Sequence, residues 1–238
     1  MNVLRFDSET AWVDCVASLW RDRLRAKPNL RTCLASGHTP NRIYEAMGAS
    51  VVARRISFRK SEIFALDEYG GLAAEDEGKC VNMLRRRLLD HIDLPADRFH
   101  FIDVDAPDLK KVCRDYDALI GNGFDLVLLG IGLNGHLGLN EPGSSPDSTT
   151  RRVEMHPISI NASATYVKQS ALPGWGVTVG LKHLLASREA WLLANGPRKA
   201  AIIQRLLHSN PDDQLPASLL RRHSNSYLFV DAEAGSLL

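Results

Sequence analysis

The stretch Asp125-Leu-Val-Leu-Leu-Gly-Ile-Gly-Leu-Asn-Gly-His136-Leu-Gly-Leu-Asn-Glu141-Pro142 constrains the fold of this 238-residue chain more than any other. Val127, Leu128 and Leu129 form an unbroken apolar run, which suits a parallel strand covered on both faces. The run empties into Gly130, Gly132 and Gly135, where the backbone can turn sharply and approach a ligand closely. In open α/β sheets the ligand crevice lies beyond the carboxyl ends of the strands, and His136 emerges there. Glu141 follows near enough to orient the imidazole, so the loop reads as an acid/base device.

The rest of the chain supplies the layers such a strand needs. Helical spacing runs from Thr10 to Ala26, from Pro40 through Met47, over Val81 to His91, over Lys110 to Ile120, and from Pro197 to Leu207, with a short helix at Leu181 to Ala186. Strands are expected at Thr32 to Ala35, Ile63 to Leu66, Phe99 to Val104, Asp125 to Gly130, Trp175 to Val179, Ala190 to Ala194 and Ser226 to Val230. This alternation predicts an α/β fold, a doubly wound, mainly parallel sheet with helices on both faces. No repeat or linker divides it, so residues 1–238 are expected to form a single domain. Residues 161–174 are weakly patterned and form either a flap over the site or a plain surface connection.

Hydrophobic residues make up 45% of the chain, enough for a core without a metal or disulfide staple. Twenty-nine basic residues against 28 acidic ones leave a formal charge of +1, which gives no reason to expect a nucleic-acid or membrane surface. No apolar run reaches membrane-spanning length, and the four scattered cysteines show no C-x-x-C pairing. A reducing, cytoplasmic setting is the expectation. The eight histidines show no metal-ligand spacing.

Three further loops sit at strand ends. Ser36-Gly37-His38-Thr39-Pro40 lies between a strand and a helix, as an anion cradle does, although a tight turn with capping residues would look the same. Gly196-Pro197-Arg198-Lys199 repeats the arrangement, with two cations in a first helical turn where they oppose the helix dipole unless an anion is bound. Together the two loops point to a phosphorylated small molecule. Asp67-Glu68-Tyr69 reads either as helix-capping or solvated charge, or as a carboxylate aimed into the crevice to abstract a proton next to a carbonyl. Gly130-x-Gly132-x-x-Gly135 has dinucleotide spacing, but Gly138, Pro142, Gly143 and Pro146 would break the helix that such a fingerprint requires.

These loops, in this order, resemble the glucosamine-6-phosphate deaminase/isomerase family, whose relatives include galactosamine-6-phosphate deaminases and 6-phosphogluconolactonases. The resemblance runs from Leu34 to Asn225 and rests most on Leu66-Asp-Glu-Tyr-Gly-Gly-Leu72 and Gly135-His-Leu-Gly-Leu-Asn-Glu-Pro142. It implies a sugar-phosphate isomerase type of sheet and a hydrolase and deaminase that turns a hexosamine 6-phosphate into ketose 6-phosphate and ammonia. No metal or organic cofactor is implied. The partner is a small-molecule sugar phosphate, not nucleic acid or membrane, and a homo-oligomer is left open. Asp67, His136, Glu141 and Asn134 are the implied catalytic residues. Ser36, Gly37, His38, Thr39 and Lys199 are implied at the phosphate, with Glu68, Gly132, Gly135 and Lys168 also at the substrate. Many family members carry Asp where this chain has Asn134, and better-known members offer a flap arginine where Lys168 is the only cation. The C4 epimer of the sugar stays open. The alternatives are a 6-phosphogluconolactonase and a non-catalytic sugar-phosphate-binding protein.

Overall fold

The computed structural model describes residues 1–168 and 172–238. Its main sheet has seven parallel strands, and their order explains where a ligand can enter. In chain order they are β1 (Asn2–Arg5), β2 (Arg31–Leu34), β3 (Glu62–Ala65), β5 (Phe99–His100), β6 (Leu126–Gly130), β9 (Ala190–Ala194) and β10 (Ser226–Val230). In space they run β1-β10-β9-β6-β2-β3-β5. From β2 the chain winds outward to β3 and β5, then returns to lay β6 on the other side of β2 and winds outward again. The reversal between β2 and β6 is a topological switch point, and the loops leaving those two strands must splay apart there.

Both faces of the sheet are covered, as the apolar run in β6 requires. Leu126 and Leu128 point into a core shared with α1 (Glu9–Ala26) and α2 (Asn41–Val52), where Trp12, Trp20, Ile43 and Met47 are fully buried. Val127 and Leu129 point the other way, into a core with Tyr116 and Ile120 of α4 (Leu109–Ile120) and Ile203 and Leu206 of α7 (Ala200–His208). Successive residues alternate faces in a strand, so two apolar faces produce a continuous hydrophobic run. Local signals set the helix ends. The Ser8 side chain accepts from the Ala11 amide at the start of α1, and Gly121 closes α4 at φ 48°.

A second sheet was not expected. It is antiparallel, with order β4-β8-β7, built from β4 (Asp67–Tyr69), β7 (Arg151–Glu154) and β8 (Trp175–Thr178). After Leu66 the chain leaves the main sheet, and Asp67 to Tyr69 pair with Thr178 to Gly176. The strand expected around Trp175 therefore exists, but outside the parallel sheet. Its edge partner β7 is charged and alternates half-buried with exposed residues, so it carries little apolar signal.

Other expectations change in detail. The strand expected to reach Val104 stops at His100, because β5 is a sheet edge paired with β3 over only two residues. The helix expected over Val81 to His91 is α3 (Cys80–Arg87) followed by a separate 3₁₀ turn at Leu89–His91, with Leu88 out of helical conformation between them. The weakly patterned 161–174 segment begins inside a helix, α5 (Pro157–Ser163), and its residues 169–171 lie outside the described residues. Among the described residues no helix is long and apolar enough to cross a membrane.

Candidate active site

The switch point opens into a cleft of roughly 830 Å³, counting its mouth, which is within the size range of small-molecule sites. Its walls are the Ser36–Thr39 loop after β2, Leu66, Asp67 and Tyr69 around the start of β4, and Gly130–Leu133 with His136 after β6. Residues of α5, Tyr166 and Lys199 add to the lining.

The loop after β2 is shaped for an anion. Gly37 takes φ 98°, a backbone open to glycine and strained for other residues. The amides of Ser36 to Thr39 have no backbone acceptor among the described residues. Tyr166 covers this loop. Its ring lies 4.6 Å from that of His38, and its hydroxyl would meet a Cβ on Gly37 at 3.1 Å. Across the cleft, the Lys199 ammonium donates to the Ile131 carbonyl at 2.5 Å. Burial, helped by the neighbouring Arg198 charge, lowers Lys199 to about 8.

Asp67 is 8% exposed and opens into the cleft. Burial, then the charge of Glu68, raises its carboxyl to about 7, with the Cys80 thiol pulling weakly the other way. Glu68 faces away, as strand alternation requires. Its carboxylate accepts from the Cys80 and Val81 amides at 2.8 and 2.9 Å and caps the start of α3. Glu68 does not line the cleft, which corrects its expected place at the substrate.

His136 lies flat on Gly132, where an added Cβ would sit 2.3–2.5 Å from three ring atoms. Its Nδ1 is 2.9 Å from the Ser159 hydroxyl and 3.4 Å from Glu141 Oε2. Glu141 stands behind the imidazole rather than in the cleft. It accepts from the Asn134 side-chain amide at 2.7 Å and from the His156 backbone N–H at 3.2 Å. Burial alone would push this carboxyl up. Hydrogen bonding and charge attraction from His136, with Ser159 and Asn134, outweigh that and hold it at about 2. Asn134 also accepts from the His136 backbone N–H at 3.3 Å, so it sits directly behind the cleft rather than in its lining.

Two more expected substrate residues are elsewhere. Gly135 serves the turn: its N–H donates to Gly132 O, its carbonyl accepts from Ala217 N–H, and a Cβ would lie 2.1 Å from Leu215 Cδ1. Lys168 is exposed and pairs with Glu77 at 2.7 Å, outside the cleft. The chain reaches it after passing tightly over Gly78, and Tyr166, not Lys168, is the residue it turns toward the phosphate-type loop. Ser159, Tyr166, Tyr69 and Met83 line the cleft without having been anticipated. His156-Pro157, with Pro at the first helical turn, was the available signal for α5 and hence for Ser159. Among the described residues no group of three or more His, Cys, Asp or Glu side chains converges as metal ligands would.

Residues 7–229 match the family model of glucosamine-6-phosphate isomerases/6-phosphogluconolactonase. A glucosamine-6-phosphate deaminase of Bacillus pumilus is 36% identical over the full length of both chains. The corresponding Rhodopirellula baltica protein is 37% identical, covering 94% of this chain and 90% of its own. A solved monomeric glucosamine-6-phosphate deaminase superposes with a TM-score of 0.96 at 32% identity, covering both chains fully. The 6-phosphogluconolactonase of Trypanosoma brucei, at 20% identity and a TM-score of 0.78, covers 100% of this chain and 98% of its own and shares the fold. The hydrolase class expected from the sequence is corrected by these relatives, which are named deaminases. The chain belongs to the family of glucosamine-6-phosphate isomerases and 6-phosphogluconolactonases.

Proposed function

We propose that this protein is a glucosamine-6-phosphate deaminase, converting the amino sugar phosphate to fructose 6-phosphate and ammonia. The observation that carries the reading is the convergence of Asp67, His136 and Lys199 on one cleft with the Ser36–Thr39 loop. Full-length relatives of that name support it.

The phosphate is held by the Ser36–Thr39 amides and hydroxyls and by the Lys199 ammonium, which fixes the far end of the sugar before the chemistry begins. The imidazole Nδ1 is engaged by Ser159 and Glu141, so Nε2 is the nitrogen left for the substrate. It takes the proton of the C1 hydroxyl and delivers it to the ring oxygen. The C1–O bond to the ring breaks, and C1 becomes an aldehyde. The Asp67 carboxylate then removes the C2 proton, the electron pair forms the C1–C2 double bond, and the C1 carbonyl pair moves to O1, which takes a proton that the C2 ammonium gives up, so that an enolamine results. The same proton returns to C1, leaving an iminium at C2. Water adds there and ammonia leaves, giving the ketose.

Ammonia release from glucosamine 6-phosphate, galactosamine 6-phosphate and 6-phosphogluconolactone controls tests the assignment. Ammonia from a hexosamine phosphate is expected. Acid release from the lactone without any ammonia would overturn it.

Gly132→Ala is the sharpest local probe of the imidazole. The added methyl cannot coexist with the observed ring position, so His136 must shift by about 1 Å. A misplacement of that size costs roughly 100-fold in rate. The expected result is a fall in kcat with KM little changed. A variant turning over at the parent rate would show that the ring position is not critical.

A further inference from the structure

We propose that Ser159 is a positioning residue for His136, holding the imidazole as the Nδ1–H tautomer so that the Nε2 lone pair faces the sugar. This rests on the reading of His136 as the ring-opening group. Three observations carry it. Ser159 is 4% exposed, and its hydroxyl is 2.9 Å from Nδ1, closer than the Glu141 carboxylate at 3.4 Å. The helix that bears it is docked on the same carboxylate, because the His156 backbone N–H at its start donates to Glu141 Oε1. Finally, Glu141 Oε2 is held by Asn134, which aims the carboxylate at this corner of the ring.

The placement rules out the other role a buried Ser beside His and Glu suggests. In a nucleophilic triad the base faces the serine with one ring nitrogen and the carboxylate with the other. Here both Ser159 and Glu141 sit at Nδ1. No ring nitrogen is placed to pass a serine proton onward, so Ser159 is not an attacking group.

The direction of the hydrogen bonds follows from what each group can do. Glu141 is an anion that only accepts, held at about 2 in part by Ser159. Glu141 Oε2, 3.4 Å from Nδ1, favours a proton on that nitrogen, and the Ser159 oxygen at 2.9 Å then accepts from Nδ1–H. Ser159 thereby fixes the ring by accepting the proton that Glu141 favours on Nδ1. A hydroxyl pointed instead at Nδ1 would force the proton onto Nε2, and the imidazole could not take a proton from the C1 hydroxyl.

Full-length protein with ¹⁵N-labelled histidine tests this, the His136 signals being assigned by their loss in His136→Gln. With its imidazole neutral, the parent should show a protonated Nδ1 and a bare Nε2. Ser159→Ala should show a mixture of tautomers. Its kcat for closed-ring glucosamine 6-phosphate should fall about tenfold, a fraction of what a full acid/base group contributes. KM should be nearly unchanged. Affinity for 2-amino-2-deoxyglucitol 6-phosphate, which has no ring to open, should be kept and reports an intact cleft. Ser159→Thr, which retains the hydroxyl, should restore the parent tautomer and most of the rate. An unchanged tautomer in Ser159→Ala overturns the proposal, whether or not the rate falls. If the parent released no ammonia at all, the functional reading would fail, yet the tautomer measurement would still decide the role of Ser159.

Discussion

Asp67→Asn protein should release ammonia from glucosamine 6-phosphate about 10²–10⁴ times more slowly than the parent, the range that a general base of this kind contributes. Asn matches Asp in size but cannot take a proton. Exchange of the substrate C2 proton with deuterated solvent should therefore vanish along with turnover. Affinity for the sugar phosphate should change little, since the Ser36–Thr39 loop and Lys199 lie on other elements. Glu68 cannot deputise, because its carboxylate is committed to the Cys80 and Val81 amides at the start of α3. Exchange persisting at the parent rate would exclude Asp67 as the base.

The same substitution should make the protein more stable. Folding raises the Asp67 carboxyl from 3.8 to about 7, chiefly by burial. Between those values the unfolded chain gives up the proton while the folded chain keeps it, so folding loses ground as pH rises. The loss is absent below pH 3.8 and complete above about pH 7, where it reaches about 4 kcal/mol. Asp67→Asn removes that penalty. Its melting temperature at pH 8 should exceed the parent's by several degrees, and the gap should close toward pH 4. Loss of activity with gain of stability is what a base kept in an unfavourable environment for its chemistry would give.

The parts of this molecule that were readable in advance are those where local pattern and global packing agree. The run Leu126 to Leu129 is apolar on both faces because two helical layers cover it, and the glycines after it mark the switch point. Gly37 and Pro40 mark the loop and helix start beside it. What escaped notice depends on contacts between distant segments. Strand β7 is Arg-Arg-Val-Glu, with Val153 its one apolar residue, so its pairing with β8 leaves almost no apolar trace. Asp67 and Glu68 are adjacent and chemically alike. Only the departure of the chain from the main sheet after Leu66 turns one into the cleft and the other to a helix end. Ser159 lies 23 residues from His136, and nothing in its neighbours announces that a turn of α5 will bring it to Nδ1. Lys168 was the plausible cation by composition, but its partner Glu77 comes from a loop whose position the sequence does not reveal.

Lys199→Met should lower kcat/KM for glucosamine 6-phosphate by about 10²–10³-fold, in line with losing one member of a desolvated charge pair. Most of the loss should appear in KM, because Lys199 is the only lysine or arginine among the described residues that line the cleft. Methionine keeps the length and apolar stem, so packing beside Ile131 should survive. The pH dependence provides a second check. Burial lowers Lys199 to about 8, and a nearby phosphate dianion would raise it again by compensating the charge. In the free protein the ammonium is present below about pH 8 and lost above it, while Asp67 becomes a base only above about pH 7. The parent kcat/KM should therefore trace a narrow bell with limbs near those values, its acid side steepened by the second ionisation of the phosphate. Lys199→Met should abolish the basic limb and leave the acid limb in place. In kcat, which reports the complex, the parent's basic limb should move upward. A variant with unchanged KM and an unchanged basic limb would mean that the phosphate is gripped without Lys199, and the cleft's one cation would then need another role.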